Sequence, residues 1–164
     1  MTAVTEFAKR GGLVFGICNG FQILCEAGLL PGALLLNNHQ QFSCKNVWLK
    51  TETSDSKITQ NIPEGRILKI PIAHAEGRYY TDPAGLAALK QNNQILFTYC
   101  DADGAQHDAS NPNGSLAHIA GICNETRNVF GMMPHPERAS ESVVGNTDGL
   151  AIFESLLSHV RTVA

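Results

Sequence analysis

The stretch that most constrains the fold lies near the start of the chain, where an apolar run ends in the pattern Gly-x-Cys-x-Gly. Residues 13–17 are nearly all apolar, and a helical pattern begins directly after Cys18. The spacing matches a nucleophile elbow, a tight strand-to-helix turn that is usually drawn with serine. We expect Gly16 and Gly20 to be required because a side chain on either would crowd the turn. The N-terminus of the new helix points at Cys18 and favours a thiolate there.

Composition indicates a single globular domain over residues 1–164. Hydrophobic residues make up 43% of the 164 residues, charged residues make up 16%, and the formal net charge is −3. No cluster of Lys and Arg indicates a nucleic-acid partner, and no apolar run has the length of a membrane span. The five cysteines lack Cys-x-x-Cys spacing, which argues against a disulfide framework and a zinc site. We therefore expect a reduced, cytoplasmic chain in which four of the cysteines are core residues.

Helical and strand-like segments alternate along the chain, which favours the α/β class. The first strand, at residues 13–17, is apolar as expected of a strand buried on both faces of a parallel sheet. Pro71 suggests that a strand at residues 66–72 lies at an edge of the sheet or ends there. Asp82 is predicted to cap a short helix whose first residue is Pro83. Residues 116–133 read as a β-hairpin.

His135 is the best candidate in the chain for a base that activates Cys18. It lies between Pro134 and Pro136, and a residue that precedes a proline favours extended backbone. Residues two apart in an extended chain point to the same side, so Glu137 is predicted to hold the far ring nitrogen of His135. Such a carboxylate fixes the tautomer and stabilises the imidazolium. A proline-rich surface loop is the alternative interpretation.

Asn19 and Gln22 are candidates for binding substrate. The backbone N–H of Asn19 follows the nucleophile and is well placed as an oxyanion donor. Gln22 lies one helical turn beyond Cys18, so its amide either faces the pocket or is an ordinary solvent-facing group. His74 and Glu76 repeat the His-x-Glu spacing. A shared metal ion is a weak hypothesis for that pair, and a polar loop near the mouth of the site is the alternative.

Five segments of the chain occur in the order found in one enzyme family. They are GICNGFQ at residues 16–22, PIAHAEGR at 71–78, NPNGSL at 111–116, MMPHPER at 132–138 and GNTDG at 145–149. Together they resemble class I glutamine amidotransferases, which implies a flavodoxin-like, mostly parallel sheet flanked by helices. The resemblance covers essentially the whole chain. Within that family, the motifs resemble most closely the glutaminase subunits of phosphoribosylformylglycinamidine synthase in purine synthesis.

The resemblance implies a role for each matching residue. Cys18 would attack the side-chain amide of glutamine, His135 would move the proton, and Glu137 would orient His135. Asn19 would donate its backbone N–H to the tetrahedral intermediate, and Gln22 would help to seat the substrate. Ammonia would leave from a glutamyl thioester and pass to a synthetase subunit, often bridged by a third small subunit. ATP and magnesium belong to that synthetase, so the resemblance implies no cofactor in this chain.

The sequence departs from the family pattern at its start and at Ala75, where the family usually has glycine. Family members begin with two or three further strands and helices, whose Pro-Gly-Gly-Phe-type loop supplies the second oxyanion donor. This chain begins in the helix before the elbow strand, a difference of about sixty residues, or two βαβ units. We therefore expect an N-terminally truncated domain or a wrongly started gene model. Losing one oxyanion donor typically costs about 3–4 kcal/mol of transition-state stabilisation.

Three other interpretations stay open on the sequence alone. The first is a catalytically weak or inactive remnant that still binds the synthetase. The second is an amidotransferase that supplies ammonia to a different synthetase. The third is a cysteine hydrolase or redox chaperone with a similar elbow, which the His-Pro-Glu loop disfavours because that loop supplies the amidotransferase dyad.

Overall fold

The structure is a computed structural model that describes the backbone of residues 1–163 and the side chains of residues 1–159. Six strands form the main sheet in the order β1-β8-β7-β6-β3-β4, and β2 and β5 form a separate two-stranded ribbon. The helices and strands are α1 Thr2–Lys9, β1 Val14–Ile17, α2 Asn19–Glu26, β2 Ala33–Leu35, β3 Ser43–Thr51, β4 Ile67–His74, β5 Arg78–Tyr80, α3 Pro83–Gln91, β6 Ile95–Cys100, β7 Ile119–Cys123, β8 Val129–Met132 and α4 Leu150–Val163.

The α/β class is confirmed, but the strand pairing of the main sheet is mixed rather than mostly parallel. Among the described strands of this sheet, β1 and β8 are parallel and the four other neighbouring pairs are antiparallel. The connections explain the difference. A tight turn at residues 124–128 joins β7 to β8, and a loop at residues 52–66 joins β3 to β4. Parallel neighbours need a crossover connection that returns the chain to the same end of the sheet.

Helices pack on both faces of the main sheet. Phe21 of α2 lies in one buried cluster with Val129, and Ile152 of α4 lies in the other with Phe130. Val129 and Phe130 are neighbours on β8, and successive side chains of a strand point to opposite faces. The sheet is therefore the middle layer between α2 and α4. In the described part of the chain, no helix is both long enough and apolar enough to cross a bilayer.

The two edges of the main sheet are β1 and β4. Pro71 lies on β4, which among the described strands pairs only with β3, so its predicted position at an edge is confirmed. β1 pairs only with β8 among the described strands, and Val14, Phe15 and Ile17 are partly buried. The expected burial of β1 on both faces is therefore met only in part.

Local predictions for the remaining elements have a mixed outcome. Asp82 caps α3 as predicted, because its Oδ1 accepts the N–H of Gly85 at 2.6 Å. β7 and β8 form the predicted antiparallel hairpin. The prediction of four core cysteines is wrong for Cys44, whose side chain is exposed on the outward face of β3. The buried cysteines are Cys25, Cys100 and Cys123, and all five thiols in the chain are free.

Candidate active site

Cys18 lies in a strained turn between β1 and α2. Its backbone angles are φ 52° and ψ −109°, a conformation that residues with a side chain rarely adopt. Its backbone N–H donates to the Met132 carbonyl at 2.8 Å, which continues the ladder between β1 and β8. Its carbonyl accepts the N–H groups of Phe21 and Gln22 at 2.9 and 3.2 Å, which begins α2. The strand-to-helix elbow predicted from the sequence is therefore present.

The two glycines of the elbow differ in what they make possible. A Cβ at Gly16 would lie 2.6 Å from the backbone of Gly20 and from the Leu24 side chain, so only glycine lets α2 approach β1 this closely. A Cβ at Gly20 would have no heavy atom within 4 Å, and Gly20 has no left-handed φ. The steric expectation is confirmed for Gly16. It is wrong for Gly20 because α2 turns that position toward open space.

The parallel pair of strands brings the candidate nucleophile and base to the same end of the sheet, where β1 and β8 finish. Ile17 is in register with Met132, and the carboxyl ends of parallel strands leave a sheet on the same side. Cys18 follows β1 directly, and His135 lies three residues after the end of β8. The backbone N–H of His135 donates to the Pro71 carbonyl at 2.8 Å, which fixes the loop against β4.

His135 and Glu137 form a short contact at this end of the sheet. His135 Nδ1 lies 2.6 Å from Glu137 Oε1. His135 Nε2 is buried and has no hydrogen-bond partner in the described part of the chain, so the nitrogen that faces away from the carboxylate is available as a base. The two side chains are adjacent as predicted, but the extended-chain reason for it is wrong. The chain forms a 3₁₀ turn from Pro136 to Ala139, and this turn brings the carboxylate to the ring.

Burial raises the pKa of the Cys18 thiol above its usual range. The backbone N–H of Asn19 and the positive charge of Arg138 act in the opposite direction, and the charge of Glu137 raises the pKa further. The sequence predicts a thiolate from the N-terminus of α2 alone, but desolvation outweighs that effect here. Cys18 Sγ lies 3.8 Å from the Ala73 carbonyl. Because its pKa is raised, the Cys18 thiol needs a base to become an effective nucleophile.

Residues 1–153 match the family model described as CobB/CobQ-like glutamine amidotransferase domain. The chain belongs to this glutamine amidotransferase family. Two curated relatives are named phosphoribosylformylglycinamidine synthase subunit PurQ. The one from Salinibacter ruber is 54% identical over 100% of this chain and 70% of its own length. The one from Koribacter versatilis is 57% identical over 96% of this chain and 68% of its own length.

A solved structure of the same family shows the same fold. It is described as the structure of PurLQS from Thermotoga maritima, and it matches with a TM-score of 0.81 at 42% identity. The match covers 96% of this chain and 66% of that chain. The amidotransferase fold is therefore confirmed, and the relatives are longer than this chain, which spans about 70% of the Salinibacter ruber protein.

Gln22 of this amidotransferase domain holds a neighbouring loop. Its Nε2 donates to the Glu76 carbonyl at 2.7 Å. A cleft of about 310 Å³ runs alongside α2, and its lining includes Asn19, Gln22, Glu26 and Glu76. The Gln22 side chain therefore anchors the loop that carries Glu76, and its role in seating the substrate stays a prediction. A larger cleft of about 640 Å³, near Pro31, lies away from Cys18.

His74 and Glu76 do not converge on a common point. His74 is buried at the end of β4, whereas Glu76 is exposed in the bend that follows. His74 Nδ1 lies 3.1 Å from Asn37 Oδ1, which the sequence analysis did not consider. In the described part of the amidotransferase domain, no group of three or more His, Cys, Asp or Glu side chains is arranged to hold a metal ion. The polar-loop interpretation fits Glu76 but not the buried His74.

Asn37 is the residue of the site region that sequence reasoning missed. It is 1% exposed, and its backbone N–H donates to the Ala75 carbonyl at 2.8 Å. Its side chain joins the loop after β2 to the end of β4, through contacts with His74 and Gly77. The sequence signal is weak, because an asparagine in a polar segment is typical of any turn.

Proposed function

We propose that this chain hydrolyses glutamine and supplies the ammonia to phosphoribosylformylglycinamidine synthase in purine synthesis. The observation that carries the proposal is the His135–Glu137 pair at the end of the sheet where Cys18 follows β1. One ring nitrogen of His135 is held by a carboxylate, and the other is buried and unpartnered. This is the arrangement that activates a cysteine or serine nucleophile. The glutamine amidotransferase family model supports glutamine as the substrate, and the relatives named phosphoribosylformylglycinamidine synthase subunit PurQ support purine synthesis as the pathway.

The mechanism uses residues of this chain alone. Cys18 Sγ gives its proton to His135 Nε2 and attacks the carboxamide carbon of glutamine. The backbone N–H of Asn19 stabilises the negative charge on the oxygen of the intermediate. His135 then gives the proton to the amide nitrogen, the C–N bond breaks, and ammonia leaves a glutamyl thioester on Cys18. His135 next deprotonates a water molecule, which releases glutamate and restores the thiol. Glu137 accepts the N–H of His135 Nδ1 throughout, which keeps Nε2 as the nitrogen that gains and loses the proton.

The chain would work with a synthetase subunit and a small bridging subunit. The solved Thermotoga maritima relative is named PurLQS, which supports an assembly of this kind. In this proposal ATP and magnesium act on the synthetase, and residues 1–164 form one amidotransferase domain. A cytoplasmic location stays a prediction of the sequence.

The proposal is tested by intact-mass labelling with a diazo-ketone analogue of glutamine, with and without the synthetase. We expect one label per chain. The label should be absent from Cys18→Ala and present in Cys44→Ala, a matched control because Cys44 is an exposed free thiol. Labelling only in the presence of the synthetase would mean that the complex completes the glutamine site. Absence of labelling in both samples of folded protein would contradict the proposal and would indicate a non-catalytic binding protein.

A further inference from the structure

The contacts of Asn37 determine which nitrogen of His74 carries a proton. Asn37 Nδ2 donates to the carbonyls of Gln41 and His74 at 2.8 and 3.0 Å. Asn37 Oδ1 accepts the N–H of Gly77 at 3.2 Å. Because this oxygen only accepts hydrogen bonds, His74 Nδ1 must be the donor in their 3.1 Å contact. His74 Nε2 of the neutral ring therefore carries a lone pair.

This lone pair is buried and has no donor. His74 is 4% exposed, and its Nε2 has no hydrogen-bond partner among the described residues. The ring packs against Gly77, where a Cβ would lie only 2.3 Å from two of its atoms, so glycine at this position leaves room for the ring. Burial first and the charge of His135 second lower the pKa of His74 to about 4, so the ring is neutral near pH 7. A buried acceptor without a partner is unfavourable, and each such group in a native protein calls for an explanation.

The end of β4 that carries His74 adjoins the catalytic residues. The Ala73 carbonyl lies 3.8 Å from Cys18 Sγ, and the Pro71 carbonyl accepts the backbone N–H of His135. The rings of His74 and His135 are close enough for the charge of one to affect the other. Each of these rings has a buried Nε2 without a partner.

We propose that His74 Nε2 accepts a hydrogen bond from the nitrogen that leaves glutamine. The proposal rests on the glutaminase function, since that nitrogen must lie beside His135 Nε2 to receive its proton. In this step the proton moves from His135 to the nitrogen, the C–N bond breaks, and the thioester carbonyl re-forms. His74 accepts an N–H without taking a proton. The contact turns the nitrogen lone pair toward His135, and it contributes only when the leaving group has an N–H.

The experiment compares glutamine with the γ-methyl ester of glutamate, whose leaving oxygen has no N–H. We would measure kcat/KM for both substrates with the chain in complex with its synthetase. His74→Phe should lower the ratio of the glutamine value to the ester value about tenfold. His74→Gln keeps an acceptor and should recover part of the ratio. His107→Phe is the control, because His107 is an exposed ring paired with Asp101, and the wild-type ratio should persist.

The possible failures can be told apart. A wild-type complex that hydrolyses neither substrate would refute the glutaminase function and this inference with it. An active complex in which His74→Phe lowers kcat/KM equally for both substrates would refute the inference alone. Nitrogen-15 NMR of the wild-type chain needs no variant to fold. At pH 7 it should show His74 neutral with its proton on Nδ1, and a proton on Nε2 would overturn the proposal.

Discussion

Acid should destabilise the folded chain through His74. The pKa of this ring is about 4 in the folded state because of burial first and the charge of His135 second, compared with an ordinary value of 6.5. Between these values the unfolded chain binds more protons than the folded chain. The stabilisation from neutral His74 is therefore complete above pH 6.5, and it is lost progressively as the pH falls toward 4.

The difference between the two pKa values corresponds to about 3 kcal/mol of unfolding free energy. About 2 kcal/mol of this is lost by pH 5, because the unfolded ring is then almost fully protonated while the folded ring is not. His74 is 4% exposed, so solvent does little to reduce the effect. The titratable groups that lower its pKa by their charge are His135 and His39.

The assay is urea unfolding followed by the fluorescence of Trp48, the single tryptophan, at pH 7, 6 and 5. It would be run on the wild-type chain and on His74→Gln. The variant loses stability at every pH because it disturbs the contact with Asn37, so only the change with pH is compared. Other titrating groups contribute to the unfolding free energy of both proteins, so their contributions cancel when the two are compared. The wild type should lose about 2 kcal/mol more than the variant between pH 7 and pH 5. Parallel curves for the two proteins would refute the reasoning.

Four further substitutions test the packing, the dyad and the α3 cap. Gly16→Ala should lower the unfolding free energy by about 1–3 kcal/mol because its Cβ would meet the backbone of Gly20. The matched Gly20→Ala should raise it by up to about 1 kcal/mol, since nothing lies near its Cβ. Glu137→Gln should lower kcat for glutamine about 10²–10⁴-fold with little change in KM, because His135 loses its orienting carboxylate. Asp82→Ala should lower the unfolding free energy by about 1 kcal/mol through loss of the α3 cap.

Urea unfolding measures the glycine and cap variants, and glutamate release measures the Glu137 variant. Equal losses of unfolding free energy in Gly16→Ala and Gly20→Ala would contradict the assignment of close packing to Gly16 alone. An unchanged kcat in Glu137→Gln would show that the carboxylate does not orient His135. Asp103→Ala is the control for the cap, because this exposed residue caps no helix and should shift stability by less than about 0.5 kcal/mol. A loss equal to that of Asp82→Ala would contradict the cap assignment.

Features set by neighbours in sequence could be predicted without a structure. The elbow at Cys18 depends on Gly16 and on the helix that follows. The cap by Asp82 acts over three residues, and the position of Pro71 at an edge depends on the missing N–H of that residue. The contact between His135 and Glu137 could also be predicted, although the backbone that makes it is a 3₁₀ turn with His135 at its N-cap and not an extended chain.

Features that depend on packing could not be predicted. The absence of crowding at Gly20 follows from how α2 is rotated on the sheet. The exposure of Cys44 depends on which face of β3 meets the core. The raised pKa of Cys18 reflects burial that outweighs the helix end, and no local pattern reports how deeply a side chain is buried. The antiparallel pairs of the sheet depend on which strand each connection returns to.

The sequence by itself determined the α/β class, the elbow at Cys18 and the candidate dyad of His135 and Glu137. These follow from short-range stereochemistry, since glycine, proline and helix ends restrict the backbone within a few residues. Tertiary structure alone decided the tautomer and low pKa of His74, because Asn37 lies 37 residues away along the chain. It also decided the approach of β4 to Cys18, whose contact with Ala73 joins residues 55 positions apart. Desolvation and hydrogen bonding act through space, so groups this far apart affect one another only after the chain has folded.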